Sequence, residues 1–204
     1  MRCAGDPWAR TLDIARPDRR SPEDHSVSLP IFIDLDGVLV ESRHGARRDE
    51  FQLRPGVTDG LDRLRDVADP LIVLAEPPEQ PLGASRSAGD PVDFLRSALG
   101  EEGDQLLVAS CPHESPQDPT DACHKPESGL VAVARDRYEL PADGGWYIAG
   151  DKEGVQAGRQ AGLRTIRVGP PDDDHRTAVH RADYEARDLM DAATRVMLEG
   201  LTLG

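Results

Sequence analysis

Five short apolar runs alternate with segments of helical periodicity, and this alternation constrains the fold more than any other feature of the chain. Runs of this length between turn residues fit strands that are buried on both faces of a sheet. Strands alternating with helices predict an α/β domain with a doubly wound parallel sheet, in which ligands bind at the carboxyl ends of the strands. The predicted strands lie within residues 29–40, 71–75, 105–110, 146–150 and 164–169.

The predicted helices follow from apolar residues that recur at helical spacing. The pair Asp90 and Pro91 is typical of a helix start, and we expect further helices after Gly56, over 129–138 and from Asp151 to about residue 161. A last amphipathic helix is predicted to include Tyr184 together with residues 189, 193, 196 and 197. The intervals between these elements hold no cap domain, so the predicted pocket is open.

Charge and composition exclude several classes of partner. The formal net charge is −14, which disfavours nucleic acid and anionic membranes. No apolar run approaches the roughly 20 residues that span a bilayer. Three cysteines do not form a disulfide framework, which is typical of a reducing compartment, so we expect a cytoplasmic protein. Residues 1–28 are rich in Arg, Asp, Pro and Ser and are predicted to form a disordered or loosely attached arm before a domain over 29–204.

Two carboxylates mark the end of the first predicted strand. Because Leu35 points to the opposite face, Asp34 and Asp36 are expected to emerge together, where like charges need a cation or a shared proton. Gly37 lets the chain turn and leaves backbone N–H groups for an anion. The alternative is that the strand ends in an ordinary Asp-Gly turn that has no functional role.

Three motifs together give the pair of aspartates a more specific meaning. The stretch D-L-D-G-V-L at 34–39, the loop CPHESPQDPTDACHKP at 111–126 and the segment WYIAGDKEGVQAGRQAGLRTIRVG at 146–169 stand in order on successive predicted strand ends. They resemble the haloacid dehalogenase-like (HAD) phosphatases, and within them the histidinol-phosphatase and heptose-bisphosphate phosphatase branch. The resemblance extends over about residues 30–169.

The resemblance implies a role for each residue of the motifs. It makes Asp34 the nucleophile that forms an aspartyl-phosphate, and Asp36 the acid and base. Mg²⁺ would be held by Asp34, Asp151 and the backbone carbonyl of Asp36, while Lys125 would neutralise phosphate charge. Lys125 and Lys152 are the two lysines among 24 basic residues, and both fall on motif positions, which favours a chemically constrained site.

The loop before Lys125 resembles the zinc loop of that branch. Cys111, His113 and Cys123 match three of its four ligands, and Asp121 stands where the fourth is a cysteine. A carboxylate can bind zinc, and so could His124. A loop without metal, stiffened by its prolines, is the alternative.

The chain departs from the family pattern at several positions. Ala75 and Glu76 replace the hydroxyl residue and the asparagine of the second motif, His124 replaces an arginine, and the fourth motif lacks its second carboxylate. A carboxylate at Glu76 would repel a phosphate unless the loop points it away or it meets a cationic part of the substrate.

These departures leave more than one function open. The favoured reading is a magnesium-dependent phosphatase for a small phosphorylated metabolite, either a sugar phosphate or an amino-alcohol phosphate. We expect Gly37, Ala75, Glu76, His124 and Lys152 to line the substrate pocket, together with Arg86, which could meet a distal phosphate or carboxylate or be a solvated loop residue. The alternatives are a pseudophosphatase that binds a phosphorylated ligand or protein, and a phosphoryl or acyl transferase. The sequence leaves the oligomeric state open.

Overall fold

The structure of the protein is a computed structural model that describes residues 29–41, 51–67, 70–76, 91–110, 123–170 and 181–202. The predicted arm at 1–28, Arg86 and the zinc-loop residues Cys111, His113 and Asp121 lie outside the described residues. The strands are β1 (Ile31–Asp34), β2 (Val40–Glu41), β3 (Gln52–Leu53), β4 (Leu71–Ala75), β5 (Leu107–Ser110), β6 (Trp146–Ala149), β7 (Arg164–Val168) and β8 (Tyr184–Ala186).

Six of these strands form one parallel sheet in the order β5-β4-β1-β6-β7-β8. Strand β1 lies at the centre, where Ile31 pairs with Leu71 of β4 on one side and with Trp146 of β6 on the other. All four residues of β1 are buried, as expected for a strand covered on both faces. The strand order reverses at β1, so a crevice opens beyond the carboxyl ends of β1 and β6.

The helices cover both faces of the sheet, which confirms the predicted doubly wound α/β fold. They are α1 (Val57–Arg65), α2 (Pro91–Leu99), α3 (Glu101–Asp104), α4 (Gly129–Tyr138), α5 (Lys152–Gln160) and α6 (Leu189–Thr202). One apolar cluster joins Ile33 to α1, α2 and α6, while a second cluster joins Phe32 to α4 and α5. Because neighbouring residues of β1 face opposite clusters, the side of the sheet on which each site residue lies is decided by its position in the strand.

The C-terminal region contains a sixth strand that the periodicity did not reveal, and the prediction of Tyr184 in the last helix was wrong. Tyr184 pairs with Ile166 of β7 as the first residue of β8. Helix α6 starts only after Asp188, whose carboxylate accepts the N–H of Asp191 at 2.8 Å. This N-cap gives the helix a defined start, so Tyr184 remains on the sheet edge.

The segment after β1 forms a tight turn and then a small hairpin. The carbonyl of Leu35 accepts the N–H groups of Leu39 and Val40 at 3.1 and 2.9 Å, and β2 then pairs with β3 in antiparallel fashion. The first predicted strand therefore ends at Asp34, several residues before the apolar run ends. Among the described residues, no helix is long and apolar enough to cross a membrane.

Candidate active site

The carboxylate of Asp34 is buried at the carboxyl end of β1, and both of its oxygens have hydrogen-bond donors. The hydroxyl of Tyr147 donates to Oδ1 at 2.7 Å. The backbone N–H of Gly150 and the Nζ of Lys125 donate to Oδ2 at 3.1 and 3.2 Å. Three donors from two segments, the end of β6 and the turn that contains Lys125, therefore fix the orientation of this carboxylate.

Lys125 lies between three carboxylates. Its Nζ is 2.9 Å from Asp151 Oδ2, 3.2 Å from Asp34 Oδ2 and 3.9 Å from Glu76 Oε2. Burial alone would lower the pKa of Lys125, but the three carboxylates outweigh burial and raise it, so the ammonium stays charged. Three carboxyl groups share one ammonium, so the cluster has fewer cations than the carboxylates need when all three are ionised.

Burial is the main influence on the two least exposed carboxyl groups of the cluster. It raises the pKa of Asp34, an effect that Lys125 opposes and Asp151 reinforces, while the bonds from Tyr147 and Gly150 lower it. Burial likewise raises the pKa of Glu76, against the attraction of Lys125. Both groups are therefore costly to ionise without an additional cation.

Asp151 is placed by the start of α5. It is the N-cap residue of that helix, and its Oδ1 accepts the N–H of Gly154 at 2.7 Å. This bond leaves Oδ2 directed at Lys125. An N-cap carboxylate is favoured both by the free N–H groups and by the helix dipole, so the helix itself holds Asp151 in place.

Gly154, one of the two residues that stand where the fourth motif has its second carboxylate, packs directly against Asp34. A Cβ atom on Gly154 would lie 2.6 Å from Asp34 Oδ2 and 3.1 Å from the Cβ of Ala149. Any side chain here would displace the buried carboxylate of Asp34. The approach of α5 to β1 is therefore too close for a second acidic residue at position 154.

Two glycines bring the turn after β1 against the loop after β6. Gly37 has a φ of 77°, and a Cβ atom on Gly150 would lie only 2.6 Å from the carbonyl oxygen of Asp36. This close packing places the Asp36 carbonyl beside the segment that leads into Asp151. The same turn exposes the Asp36 side chain to solvent, whereas the carboxylate of Asp34 stays buried.

The oxygen atoms at this point fit a hard divalent cation. The carboxylates of Asp34 and Asp151 face one common ammonium, and the Asp36 carbonyl lies beside them. Within the described part of the chain, no three His, Cys, Asp or Glu side chains form a ready metal site. Two carboxylates and one backbone carbonyl, completed by water or phosphate oxygens, are nevertheless a set of ligands that suits Mg²⁺.

Of the second-motif residues, only Glu76 reaches this cluster. Its Oε1 accepts the backbone N–H of Lys125 at 2.6 Å. Ala75 is buried with Ile33 in the first apolar cluster, on the other face of the sheet from Asp34. The loop therefore does not point the Glu76 carboxylate away from the site. The cation that this carboxylate meets is Lys125 of the protein rather than a cationic part of a substrate.

The remaining predicted residues lie around the cluster. Lys152 is exposed at the first turn of α5, and His124 is half-buried beside Lys125. Cys123 is buried at 2% exposure in the second apolar cluster, so one predicted zinc ligand faces the protein interior.

Tyr147 is a site residue that the sequence reasoning missed. It pairs with Phe32 in the sheet register, which places it on the same face of β6 as Asp34 on β1. The only signal in the sequence is a hydroxyl group within an otherwise apolar buried strand. Burial, followed by the neighbouring Asp34 carboxylate, raises the pKa of Tyr147 well above its usual value, so Tyr147 is a hydrogen-bond donor.

Comparisons with known proteins bear on the fold of the chain and on the family that it resembles. No protein-family model matches the chain. The curated D-glycero-beta-D-manno-heptose-1,7-bisphosphate 7-phosphatase of Pseudomonas putida is 27% identical over 75 residues, which is 36% of this chain and 42% of that protein. The chain thus aligns with less than half the length of this curated relative.

Solved structures match over most of the chain. The D,D-heptose 1.7-bisphosphate phosphatase from B. bronchiseptica, complexed with magnesium and phosphate, has a TM-score of 0.69 at 22% identity and covers 84% of this chain and 99% of its own. A haloacid dehalogenase-like hydrolase from Streptococcus pneumoniae has a TM-score of 0.54 at 13% identity, with 82% and 98% covered. The chain therefore has the haloacid dehalogenase-like fold, and the predicted resemblance to the heptose-bisphosphate phosphatase branch is confirmed.

Proposed function

We propose that the protein is a magnesium-dependent phosphomonoester hydrolase that acts on a small phosphorylated metabolite. The observation that best supports this proposal is the buried Asp34 carboxylate, which Lys125 connects to Asp151 across 3.2 and 2.9 Å. A carboxylate held by fixed donors beside an ammonium is suited to attack a phosphate ester, because little reorganisation is needed as charge develops.

In the proposed reaction, a carboxylate oxygen of Asp34 forms a bond to phosphorus while the bond to the leaving oxygen breaks. Asp36 donates a proton to the departing alcohol. The Asp36 carboxylate then takes a proton from water, which attacks the phosphorus of the aspartyl-phosphate and releases inorganic phosphate with Asp34 restored. The exposed position of Asp36 supports this role, since it must meet both the leaving group and solvent.

Two further groups balance charge during this reaction. Lys125 would contact the transferred phosphoryl oxygens from its position between Asp34 and Asp151. Mg²⁺, held by Asp34, Asp151 and the Asp36 carbonyl, would supply the positive charge that an anionic cluster needs to accept a phosphate.

The relatives support the proposed substrate class. Two relatives are named as heptose-bisphosphate phosphatases, and we propose a sugar phosphate or an amino-alcohol phosphate as the substrate here. Arg86 and His124 remain proposed contacts of the pocket, whereas Ala75 is buried on the face of the sheet opposite Asp34 and is not proposed as a contact. A zinc ion bound by Cys111, His113, Asp121 and Cys123 is proposed as a structural cofactor of the adjoining loop.

Phosphate release from a panel of sugar and amino-alcohol phosphates, with and without Mg²⁺, tests this function. We expect release only with Mg²⁺, and loss of at least about a thousandfold in Asp34→Asn, because the nucleophile is removed. Asp59→Asn is the matched control, since Asp59 is exposed in the first turn of α1. Turnover that persists in Asp34→Asn would remove Asp34 from the mechanism.

A pseudophosphatase is the second candidate, and the contact of Glu76 with Lys125 favours it. A carboxylate 3.9 Å from Nζ competes with a phosphate for the same ammonium. The two functions differ in a simple experiment. Tight binding of a phosphorylated ligand, measured by calorimetry, without phosphate release from any panel member would favour the binding protein.

A further inference from the structure

Glu76 emerges from the sheet on the same face as the proposed nucleophile. Leu74 of β4 pairs with Asp34 of β1 in the sheet register. Because side chains alternate along a strand, Glu76 lies two residues beyond Leu74 on the face that carries Asp34. Its side chain is 27% exposed, and that of Lys125, which contacts both carboxyl groups, is 13% exposed. The carboxyl group of Glu76 therefore borders the place where a phosphate ester would meet Asp34.

The two oxygens of this carboxyl group have different surroundings. Oε1 accepts the backbone N–H of Lys125 at 2.6 Å. Oε2 lies 3.9 Å from Lys125 Nζ, beyond the roughly 2.7–3.2 Å of a hydrogen bond. That ammonium donates instead to Asp34 and Asp151. Within the part of the chain that the structure describes, Oε2 thus receives no hydrogen bond, and it is the oxygen that can carry a proton.

The charges around Glu76 favour its neutral acid. Burial has the largest effect and raises the pKa of Glu76, and the carboxylate of Asp34 raises it further. Lys125 and His124 lower this pKa, but Asp34 and Asp151 share the Lys125 ammonium. A phosphate bound beside Lys125 would bring more negative charge and would raise the pKa of Glu76 again. Phosphate binding and protonation of Glu76 therefore favour each other.

We propose that Glu76 takes part in phosphate binding as a neutral carboxylic acid, whose Oε2–H donates a hydrogen bond to an oxygen of the phosphoryl group. Oε1 keeps the N–H of Lys125, so the same side chain holds the lysine and contacts the ligand. The proton comes from solvent as the phosphate binds and returns to solvent as the phosphate leaves. The inference rests on the proposed function, because it assumes that the phosphate lies at Asp34.

The ionisation state of Glu76 decides whether it opposes or assists the ligand. An ionised carboxylate repels a phosphoryl oxygen, whereas the neutral acid supplies a hydrogen bond to a charged group. This donor lies next to Ala75, which has no hydroxyl group to offer. The proposed hydrolase should therefore bind phosphate most tightly in acidic solution.

Calorimetric titration of the wild-type protein with sulfate, in the presence of Mg²⁺, tests the inference without requiring turnover. Sulfate has the shape of phosphate and keeps both negative charges between about pH 5 and 8, so a dependence on pH belongs to the protein. Above the pKa of Glu76, the affinity should fall by about tenfold for each pH unit. Repeating the titration in buffers of different ionisation enthalpy should then show an uptake of about one proton per sulfate.

Variants assign the proton to this residue. Glu76→Gln has an amide N–H₂ in place of the acid O–H and keeps an acceptor for Lys125, so its affinity should be nearly independent of pH, without the proton uptake. At pH 8 it should bind sulfate at least about tenfold more tightly than the wild type, and Glu76→Ala, which has no donor, should bind less tightly than Glu76→Gln at every pH. Glu127→Gln is the matched control, because Glu127 is exposed in the turn after Lys125 and carries the same charge. It should keep the proton uptake of the wild type, and thermal unfolding checks that each variant folds.

The outcomes separate this inference from the proposed function. Equal proton uptake in the wild type and Glu76→Gln, equal affinities of the Gln and Ala variants, or no binding of sulfate overturns the role of Glu76 even if the wild-type protein releases phosphate. Proton uptake that requires Glu76 but not Glu127 supports it even if the wild-type protein releases none, in which case only the proposed hydrolysis fails.

Discussion

Glu76 and Lys125 contact each other at two points, one on the backbone and one on the side chain. Glu76 Oε1 accepts the N–H of Lys125 at 2.6 Å, and its Oε2 lies 3.9 Å from Nζ. The first contact holds the segment that presents the lysine, whereas the second partly neutralises the charge that a phosphate would need. A single side chain therefore both positions the lysine and opposes its proposed role.

Glu76→Gln should separate these two effects. Glutamine keeps an acceptor for the Lys125 N–H but removes the negative charge. Because charges a few ångströms apart repel strongly, the inhibition constant of the phosphate analogue orthovanadate should fall by about tenfold or more in this variant. Glu76→Ala removes both contacts and serves as the comparison. Unchanged inhibition in Glu76→Gln would mean that the carboxylate does not compete with phosphate.

The same variant should change how stability depends on pH. Because the pKa of Glu76 is raised in the folded protein, the stability associated with this group is present below its unfolded pKa and is lost as the pH rises through the folded pKa. Glu76→Gln cannot ionise, so it should lose less stability than the wild type as the pH rises above about 4.5. Thermal unfolding in matched buffers without metal measures the difference.

Tyr147→Phe should impair catalysis more than folding. The substitution removes the 2.7 Å hydrogen bond from Tyr147 to Asp34 Oδ1. A hydrogen bond to a charged group contributes about 1.5–3 kcal/mol, so kcat should fall by about tenfold or more. Because this bond lowers the pKa of Asp34, its loss should move the acidic limb of the pH–rate profile to higher pH.

Tyr138→Phe is the matched control for this change. The Tyr138 hydroxyl donates to the Val108 carbonyl at 2.7 Å, away from the cluster around Lys125. An equal fall in kcat for both variants would indicate a general loss of packing rather than a role for Tyr147 at the nucleophile.

Gly154→Ala should abolish activity although alanine is the better helix former. Its Cβ atom would lie 2.6 Å from Asp34 Oδ2, so either the carboxylate or the start of α5 must move. Gly200→Ala, where no atom lies within 4 Å of the new Cβ, should keep full activity and raise stability by about 0.5–1 kcal/mol. Phosphate release and thermal unfolding of the two variants measure both effects, and an active Gly154→Ala protein would contradict the close approach.

If the loop at 111–124 binds zinc as proposed, carefully purified protein should contain about one zinc ion per chain, removable by mild chelation because a carboxylate replaces one thiolate. Elemental analysis measures the metal. Asp121→Ala should weaken zinc retention, while His124→Ala should not, and the reverse result would make His124 the fourth ligand. Protein that contains no zinc and takes up none on titration would leave the loop without a metal.

Much of the fold could be predicted from the sequence because the strands of a doubly wound sheet are short, continuous apolar runs. Strand β4 and helix α4 have the predicted bounds, 71–75 and 129–138. Strand β8 was missed because Tyr184, Glu185 and Ala186 form an edge strand of three residues, too short to show an alternating pattern. The hairpin of β2 and β3 was missed for the same reason.

The sequence by itself determined the parallel α/β architecture and the positions of Asp34 at a strand end and Asp151 at a helix start, because periodicity and motif spacing are properties of neighbouring residues. Only the tertiary structure decided which groups meet. The contacts of Asp34 with Tyr147 and of Lys125 with Glu76 join residues 113 and 49 positions apart. The exclusion of a side chain at Gly154 likewise depends on how closely α5 packs against β1. Such contacts are set by sheet register and helix packing, which no local pattern encodes.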